Sequence, residues 1–203
     1  MTVLVLIGAV CCTTALLCGV AAYAAPSSAV VAEAPYEILQ VFASEDEAVR
    51  QLFPDAAAFQ RDAVGLTAEQ VEAVEQSADH RWTGAVEPVV YVAAAADDRT
   101  IGYGVVMNET GKHHDITFMV GVTSEGVVQG VDILIYRESR GGEVRQRRFL
   151  RQFRGKSLGD AVRGGVDIVN ITGATLSVNA ISRGVRKALA LVEVVFGAGA
   201  VQP

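Results

Sequence analysis

The chain has 203 residues, enough for one domain with a sizeable core and some additional segments. Its formal net charge of −6 argues against a nucleic-acid-binding surface, which requires a basic face. The three cysteines, Cys11, Cys12 and Cys18, all lie in an apolar N-terminal segment, so disulfides, thiolate metal sites and cysteine nucleophiles are excluded from Ala25 onward.

The N-terminal segment, residues 1–24, contains no charged side chain. Its apolar run from Val3 to Ala22 has about the length that a helix needs to cross a bilayer, roughly 20 residues. Ala22-Tyr23-Ala24 is also a small-x-small cleavage pattern, so the segment is either a signal peptide or a membrane anchor. We favour an anchor, because the run is long for a signal peptide and lacks basic residues before it. Either interpretation predicts export, with residues 25–35 as a linker.

Residues 36–87 are predicted to be mainly helical. The patterns predict helices over Phe42–Phe53 and Leu66–Ala78, each with a capping box at its start. The cap pairs are Ser44 with Glu47 and Thr67 with Gln70. We interpret both helices as scaffold, because neither carries an evident catalytic group.

From Val89 the hydrophobic period changes to two, which is typical of strands. Short turns separate the strands and predict an antiparallel β-meander. The four candidates are Val89–Ala96, Ile101–Glu109, His114–Thr123 and Val127–Tyr136. Packed against helices, this meander gives an α+β fold for a domain over residues 88–196, with residues 197–203 as a tail. Because adjacent strand residues point to opposite faces, we interpret His113 and His114 as loop or sheet-surface residues and not as a metal site.

Two charged segments follow the fourth strand. In the first, Tyr136 to Glu143, paired glycines suit either a functional or a flexible loop. Glu138 and Glu143 are candidates for an acid/base pair, but exposed charge is the simpler interpretation. In the second, Arg147 to Lys156, a short basic helix is predicted to bury Phe149, Leu150 and Phe153. Its basic face is either solvated or binds an anion or a partner.

A long helix is predicted towards the C-terminus, after Thr172-Gly173-Ala174-Thr175. Apolar residues recur on one face at helical spacing, at Ile181, Val185, Ala188, Leu189 and Val192. Small residues before it suggest a tight loop, and the unpaired amides of a helix start favour a phosphate. A hydroxyl residue before a helix is, however, most often only an N-cap.

The order of these features resembles the FMN-binding domain family. It runs from strands through the Glu-Ser-containing loop and Phe-Leu-Arg-Gln-Phe-Arg-Gly-Lys to Thr-Gly-Ala-Thr at the start of a helix. The family includes the C subunit of the sodium-translocating NADH:quinone oxidoreductase, the G subunit of the Rnf complex and exported flavinylated electron carriers. The resemblance covers residues 89–195.

The resemblance implies FMN as cofactor, joined through a phosphoester to Thr175. It implies an exported electron carrier and not an independent enzyme, with redox donor and acceptor proteins or quinone as partners and a flavin transferase for loading. The cofactor-binding residues implied or expected are Thr172, Gly173, Ala174, Thr175, Leu176 and Ser177 around the motif, and Tyr136, Glu138, Ser139, Gly141 and Gly142 in the preceding loop.

The chain departs from the family pattern at Val169. Many members have an aspartate three residues before the first hydroxyl, where this sequence has Val169, and its nearest aspartate is Asp167. This departure is the main support for one alternative, a cofactor-free sensory or interaction domain at the cell surface. A second alternative keeps FMN and makes the protein a reductase with a small substrate of its own.

Overall fold

A computed structural model describes residues 40–85 and 87–197. The predicted segment 1–24, the linker 25–35 and the tail beyond Gly197 lie outside these residues. Within the described ranges, no helix has both the length and the apolar character needed to cross a membrane.

The core of the fold is a six-stranded antiparallel sheet with the order β1-β6-β5-β4-β3-β2. Strands β2 to β6 follow one another as a meander, which confirms the predicted α+β architecture, and β1 is added beside β6. The strands are β1 Gln40–Val41, β2 Ala58–Ala63, β3 Val89–Ala94, β4 Thr100–Thr110, β5 Asp115–Thr123 and β6 Val128–Tyr136.

Strands β1 and β2 were not predicted. β1 has two residues, both exposed, and in β2 every residue is exposed or half-buried, so neither strand shows alternation between a buried and an exposed face. They are strands because their backbones pair with β6 and β3. The predicted helical region therefore also contributes two strands to the main sheet.

Four α-helices pack around the sheet: α1 Glu45–Leu52, α2 Ala68–Ala78, α3 Arg147–Leu150 and α4 Thr175–Phe196. Both predicted capping boxes are present, at Ser44 and at Thr67. A 3₁₀ turn over Gly142–Arg145 precedes α3, and another over Arg151–Phe153 follows it.

The two faces of the sheet have separate cores because neighbouring strand residues point in opposite directions. Met119 and Leu134 pack with residues of α1 on one face. On the other face, Phe118 and Val120 pack with α4, which also contacts α2. The five apolar residues predicted for the buried side of α4 are all at most 2 % exposed. Helix α4 is therefore fixed along its length, and its first residue has a defined position.

A buried ion pair also holds α4 against β4. Lys187 on α4 and Glu109 on β4 are 2 % and 3 % exposed, and Lys187 Nζ lies 2.6 Å from Glu109 Oε1. The ammonium also donates to Thr83 Oγ1 at 2.9 Å, and Arg183 Nε lies 3.3 Å from Glu109 Oε2. Both charges are thus hydrogen-bonded, as buried charges must be if they are not to destabilise the fold strongly.

Candidate functional site

The Thr-Gly-Ala-Thr stretch forms a tight turn that leads directly into α4. The Ala174 amide donates to the Ile171 carbonyl at 2.9 Å, and Gly173 has φ = 83°, which a residue with a side chain rarely adopts. The N-cap residue is Ala174, and no side chain of the described chain caps the helix. The alternative that Thr172 serves as an N-cap is therefore wrong.

The first turn of α4 presents unpaired amides. Val178 is the first residue whose amide finds a helical carbonyl, that of Ala174, at 2.9 Å. The amides of Thr175, Leu176 and Ser177 have no acceptor within the helix. They lie at the positive end of a 22-residue helix, an arrangement that favours an anion such as phosphate.

A cavity of about 400 Å³ opens beside this helix start. It brings together two predicted segments that are more than thirty residues apart in sequence, the motif and the loop after β6. It also includes the turn between β4 and β5, which was not predicted to contribute. The lining residues are Lys112, His113, Glu138, Ser139, Arg140, Gly173, Ala174, Thr175, Leu176 and Ser177. Of the predicted site residues, Thr172, Tyr136, Gly141 and Gly142 do not line it.

Tyr136 lies behind the cavity wall and joins the loop to the helix. It is 1 % exposed, its hydroxyl donates to the Arg140 carbonyl at 2.6 Å, and the same oxygen lies 3.0 Å from Ser177 Oγ. Burial raises the pKa of Tyr136, although the bond with Ser177 acts in the opposite direction. The tyrosine thus stays a neutral phenol that positions the loop and does not contact a ligand directly.

Gly141 is required by this arrangement. Its φ is 84°, and a Cβ atom at this position would lie 2.9 Å from the Tyr136 hydroxyl oxygen and 3.0 Å from Ser177 Oγ. A side chain would therefore both strain the backbone and separate the loop from α4.

Glu138 is buried, and the expectation of an exposed charge was wrong. It is 6 % exposed, and its Oε1 atom accepts hydrogen bonds from the amides of Lys112, His113 and His114 at 2.5, 2.6 and 3.0 Å. Burial acts to raise the pKa of Glu138, but these three bonds outweigh it and the pKa is lowered. The carboxylate is an acceptor that shapes the β4–β5 turn, which leaves it unsuited to act as a general acid with Glu143.

Lys112 and His113 lie in a part of the cavity that sequence reasoning missed, whereas Arg140, also not chosen, lies within the predicted loop. The first two lie in the turn between two strands, and their side chains are exposed. The only local signal was a run of basic residues in a turn, which is more often solvated. Lys112 and Arg140, with the free amides of α4, place two cationic side chains and a helix N-terminus around the cavity, beside the Glu138 carboxylate.

Asp167 does not line the cavity. Its carboxylate accepts from Lys156 Nζ at 2.8 Å and from the amides of Arg163 and Val162 at 2.8 and 3.1 Å. Burial acts to raise the pKa of Asp167, but these bonds outweigh it and the pKa is lowered. Asp167 therefore stabilises the loop before the motif, while Val169 is 72 % exposed.

Comparison with known proteins identifies the domain that contains this cavity. Residues 111–190 match the profile of the FMN-binding domain family. This part of the chain is therefore similar to FMN-binding domains. The matched range contains every residue that lines the cavity, and the cofactor of the domain is FMN. The cofactor-free alternative is accordingly set aside.

A solved structure also resembles the chain. It is the C subunit of the Na⁺-translocating NADH-quinone reductase from Parabacteroides distasonis, with 19 % identity and a TM-score of 0.46 over 80 % of this chain and 87 % of that chain. No curated protein matches the sequence.

The residues of the FMN-binding domain fit the cofactor. The unpaired amides at the start of α4 suit its phosphate. The cavity volume falls in the range of small-molecule sites, and its lining offers polar and apolar surface in similar amounts. Leu176, which is 51 % exposed, offers an apolar surface to an aromatic ring.

Proposed function

We propose that this protein is an electron-transfer flavoprotein that works outside the cytoplasm, with FMN joined through its phosphate to Thr175 Oγ1. The observation that carries the proposal is the position of Thr175. It is the first residue of α4, its side chain is exposed in the cavity, and its own amide and the next two have no acceptor among the described residues. The hydroxyl is therefore accessible for modification, and a phosphate bonded to it lies among helix-start donors.

Each part of the cavity has a role in this proposal. The amides of Thr175, Leu176 and Ser177 hold the phosphate. Lys112 adds positive charge beside it, and the Leu176 side chain packs against the ring. Glu138 positions the turn that carries Lys112 and His113 and does not contact the flavin. When bound, FMN supplies the electron-transfer chemistry, and the surrounding residues set its orientation and potential.

Attachment of FMN requires one substitution at phosphorus. A P–O bond forms between Thr175 Oγ1 and the FMN phosphorus of a flavin dinucleotide such as FAD. The pyrophosphate bond breaks, the nucleoside monophosphate leaves, and the hydroxyl proton is lost to solvent. A flavin transferase catalyses the step, and the product is the chain plus one FMN less one water.

Export and partners complete the proposal. Residues 1–24 act as an anchor or a signal that places the FMN-binding domain outside the cytoplasm. A covalent bond is useful there, because a lost cofactor is not readily replaced. Redox proteins or quinone exchange electrons with the flavin, and the cavity opening beside Leu176 gives them access to it.

Mass spectrometry of the intact chain tests the attachment. The protein is co-expressed with a flavin transferase, and the wild type is expected to gain the mass of one FMN less one water. Thr175→Ala is expected to gain nothing. Thr172→Ala is the matched control, because this hydroxyl lies three residues earlier and does not line the cavity; we expect it to keep the addition.

An unmodified wild type, or equal addition to Thr175→Ala, would contradict the covalent bond. Loss of the addition in Thr172→Ala alone would move the attachment to the other hydroxyl. Peptides spanning residues 164–183 identify the modified residue directly.

A further inference from the structure

A second cavity lies on the other side of the 3₁₀ turn at residues 142–145, between α1, β6 and the basic segment that follows. Its volume is about 660 Å³, and it shares no lining residue with the FMN cavity. The lining residues are Phe42, Ala43, Gln51, Leu52, Gln129, Gly130, Val131, Asp132, Arg145, Arg147, Leu150, Arg151 and Arg154. We name it the arginine groove.

The arginine groove concentrates positive charge in an acidic protein. Residues 145–156 contain five arginines and one lysine and no acidic residue, although the chain has a net charge of −6. Four of those five guanidinium groups line the groove. Clustered like charges repel one another, so this arrangement favours an anion that neutralises them.

Helical spacing directs these arginines to one side. Residues 147–153 are helical, first α and then 3₁₀, so Arg147 and Arg151, four residues apart, lie on one face. Arg154 follows the end of this run and also lines the groove. The opposite face buries Phe149 and Phe153, which anchor the segment in the core. The backbone that carries the three guanidinium groups is therefore fixed, and only their side chains need to be ordered by a ligand.

The guanidinium groups are available to a ligand. Over residues 40–85 and 87–197, Arg147, Arg151 and Arg154 form no salt bridge with a carboxylate and donate no side-chain hydrogen bond. Arg145 is held in place, with its guanidinium carbon 4.1 Å from the centre of the Phe42 ring and its Nε donating to the Gly142 carbonyl at 3.1 Å.

The remaining lining residues indicate what the ligand contains besides charge. Phe42, Leu52 and Leu150 give one part of the groove an apolar wall, and Phe42 is 41 % exposed there. Among the described lining residues, Asp132 is the one carboxylate. Burial raises its pKa, against smaller lowering effects of the Ile133 backbone and of Arg147. A single carboxylate does not balance four guanidinium groups.

We propose that the arginine groove binds a phosphate group attached to an apolar body. A phosphate offers enough oxygens to accept paired hydrogen bonds from several guanidinium groups at once, whereas a single carboxylate accepts one such pair. The apolar body packs against Phe42 and Leu52. A phosphatidic acid headgroup and a soluble phosphate monoester with an apolar substituent both have this chemistry. The site is independent of Thr175 and of the covalent bond proposed there.

Calorimetric titration of the full-length, flavin-loaded protein in non-ionic detergent at low salt tests the proposal. The probes are dihexanoyl phosphatidic acid and phenyl phosphate, with dihexanoyl phosphatidylcholine as the zwitterionic control. We expect saturable binding of at least one anionic probe and at least tenfold weaker binding by Arg147→Gln/Arg151→Gln. The matched control is Arg148→Gln/Arg81→Gln, which removes two positive charges outside the groove and is expected to change affinity less than twofold.

The two anionic probes separate the sources of the phosphate. Binding of phosphatidic acid alone identifies a lipid headgroup, and equal or tighter binding of phenyl phosphate identifies a soluble phosphate. The proposal is overturned if neither probe saturates the wild type, or if the control variant loses as much affinity as the groove variant. Unchanged flavin absorbance and unfolding midpoints establish that both variants fold.

Discussion

Replacing Glu138 by glutamine tests how the FMN cavity is shaped. The substitution keeps the size of the side chain and one carbonyl oxygen but removes the charge. In the wild type one carboxylate oxygen accepts from three consecutive amides, at residues 112, 113 and 114. The neutral oxygen of glutamine accepts the same bonds more weakly, so the β4–β5 turn should loosen.

The magnitude follows from the three bonds. A hydrogen bond to a charged group contributes about 1.5–3 kcal/mol, and a neutral one about 1 kcal/mol. Lys112 and His113 are exposed, so water replaces part of the loss at these two amides. We expect Glu138→Gln to lower the free energy of unfolding by about 2–4 kcal/mol.

Urea unfolding of the flavin-loaded protein measures this difference. Glu143→Gln is the control, because Glu143 is exposed and accepts no side-chain hydrogen bond among the described residues; its effect should stay within about 0.5 kcal/mol. Faster hydrogen exchange at residues 112–114 should accompany the loss in Glu138→Gln. Equal stabilities of the two variants would refute the role that we assign to Glu138.

The stability that the Glu138 carboxylate contributes should also depend on pH. The pKa of Glu138 is lower in the folded protein than its usual value, about 4.3 in an unfolded chain. Its contribution is therefore complete above that value and is lost as the pH falls through the lower folded pKa. Glu138→Gln should lack this part of the acid destabilisation, so the stability difference between wild type and variant should shrink in acid.

Three further substitutions test the supports of the site. Tyr136→Phe removes the hydroxyl between the Arg140 carbonyl and Ser177 Oγ and should lower the free energy of unfolding in urea by about 1–3 kcal/mol. In a Thr175→Ala variant, where FMN is not covalently attached, Tyr136→Phe should also weaken FMN binding. Lys187→Met leaves the Glu109 carboxylate buried beside one cation, Arg183, and should lower the free energy of unfolding by about 3–5 kcal/mol. The double variant Lys187→Met/Glu109→Leu should recover most of this stability. An equally unstable double variant would contradict this account. Gly173→Ala forces a side chain into φ = 83° and should cost about 1–2 kcal/mol and reduce the FMN mass addition, which thermal unfolding and intact mass measure.

The helices and the strands of the meander could be predicted from local sequence patterns. The capping boxes at Ser44 and Thr67 and the apolar face of α4 depend on residues three to four apart, and strands β3 to β6 on a period of two. Strands β1 and β2 show no such alternation, because none of their residues is buried. Their pairing partners are also distant in sequence.

The candidate site likewise has one part that the sequence could predict and one part that it could not. The motif at Thr172–Thr175 was recognisable because its glycine and hydroxyls are contiguous. Lys112 and His113 were not, because their position beside α4 depends on the carboxylate of Glu138 some 25 residues further along the chain. Sequence also placed Tyr136 among the cofactor ligands, whereas burial makes it a support behind the wall.

By itself, the sequence determined the FMN-binding character of the domain and the residue proposed to carry the flavin. Both reside in a short run of neighbouring residues whose backbone geometry is set locally. Only the tertiary structure decided which charges face a ligand. Glu138 and Lys187 look like ordinary solvated residues in the sequence, and both are buried, because burial and pairing arise when distant segments pack together.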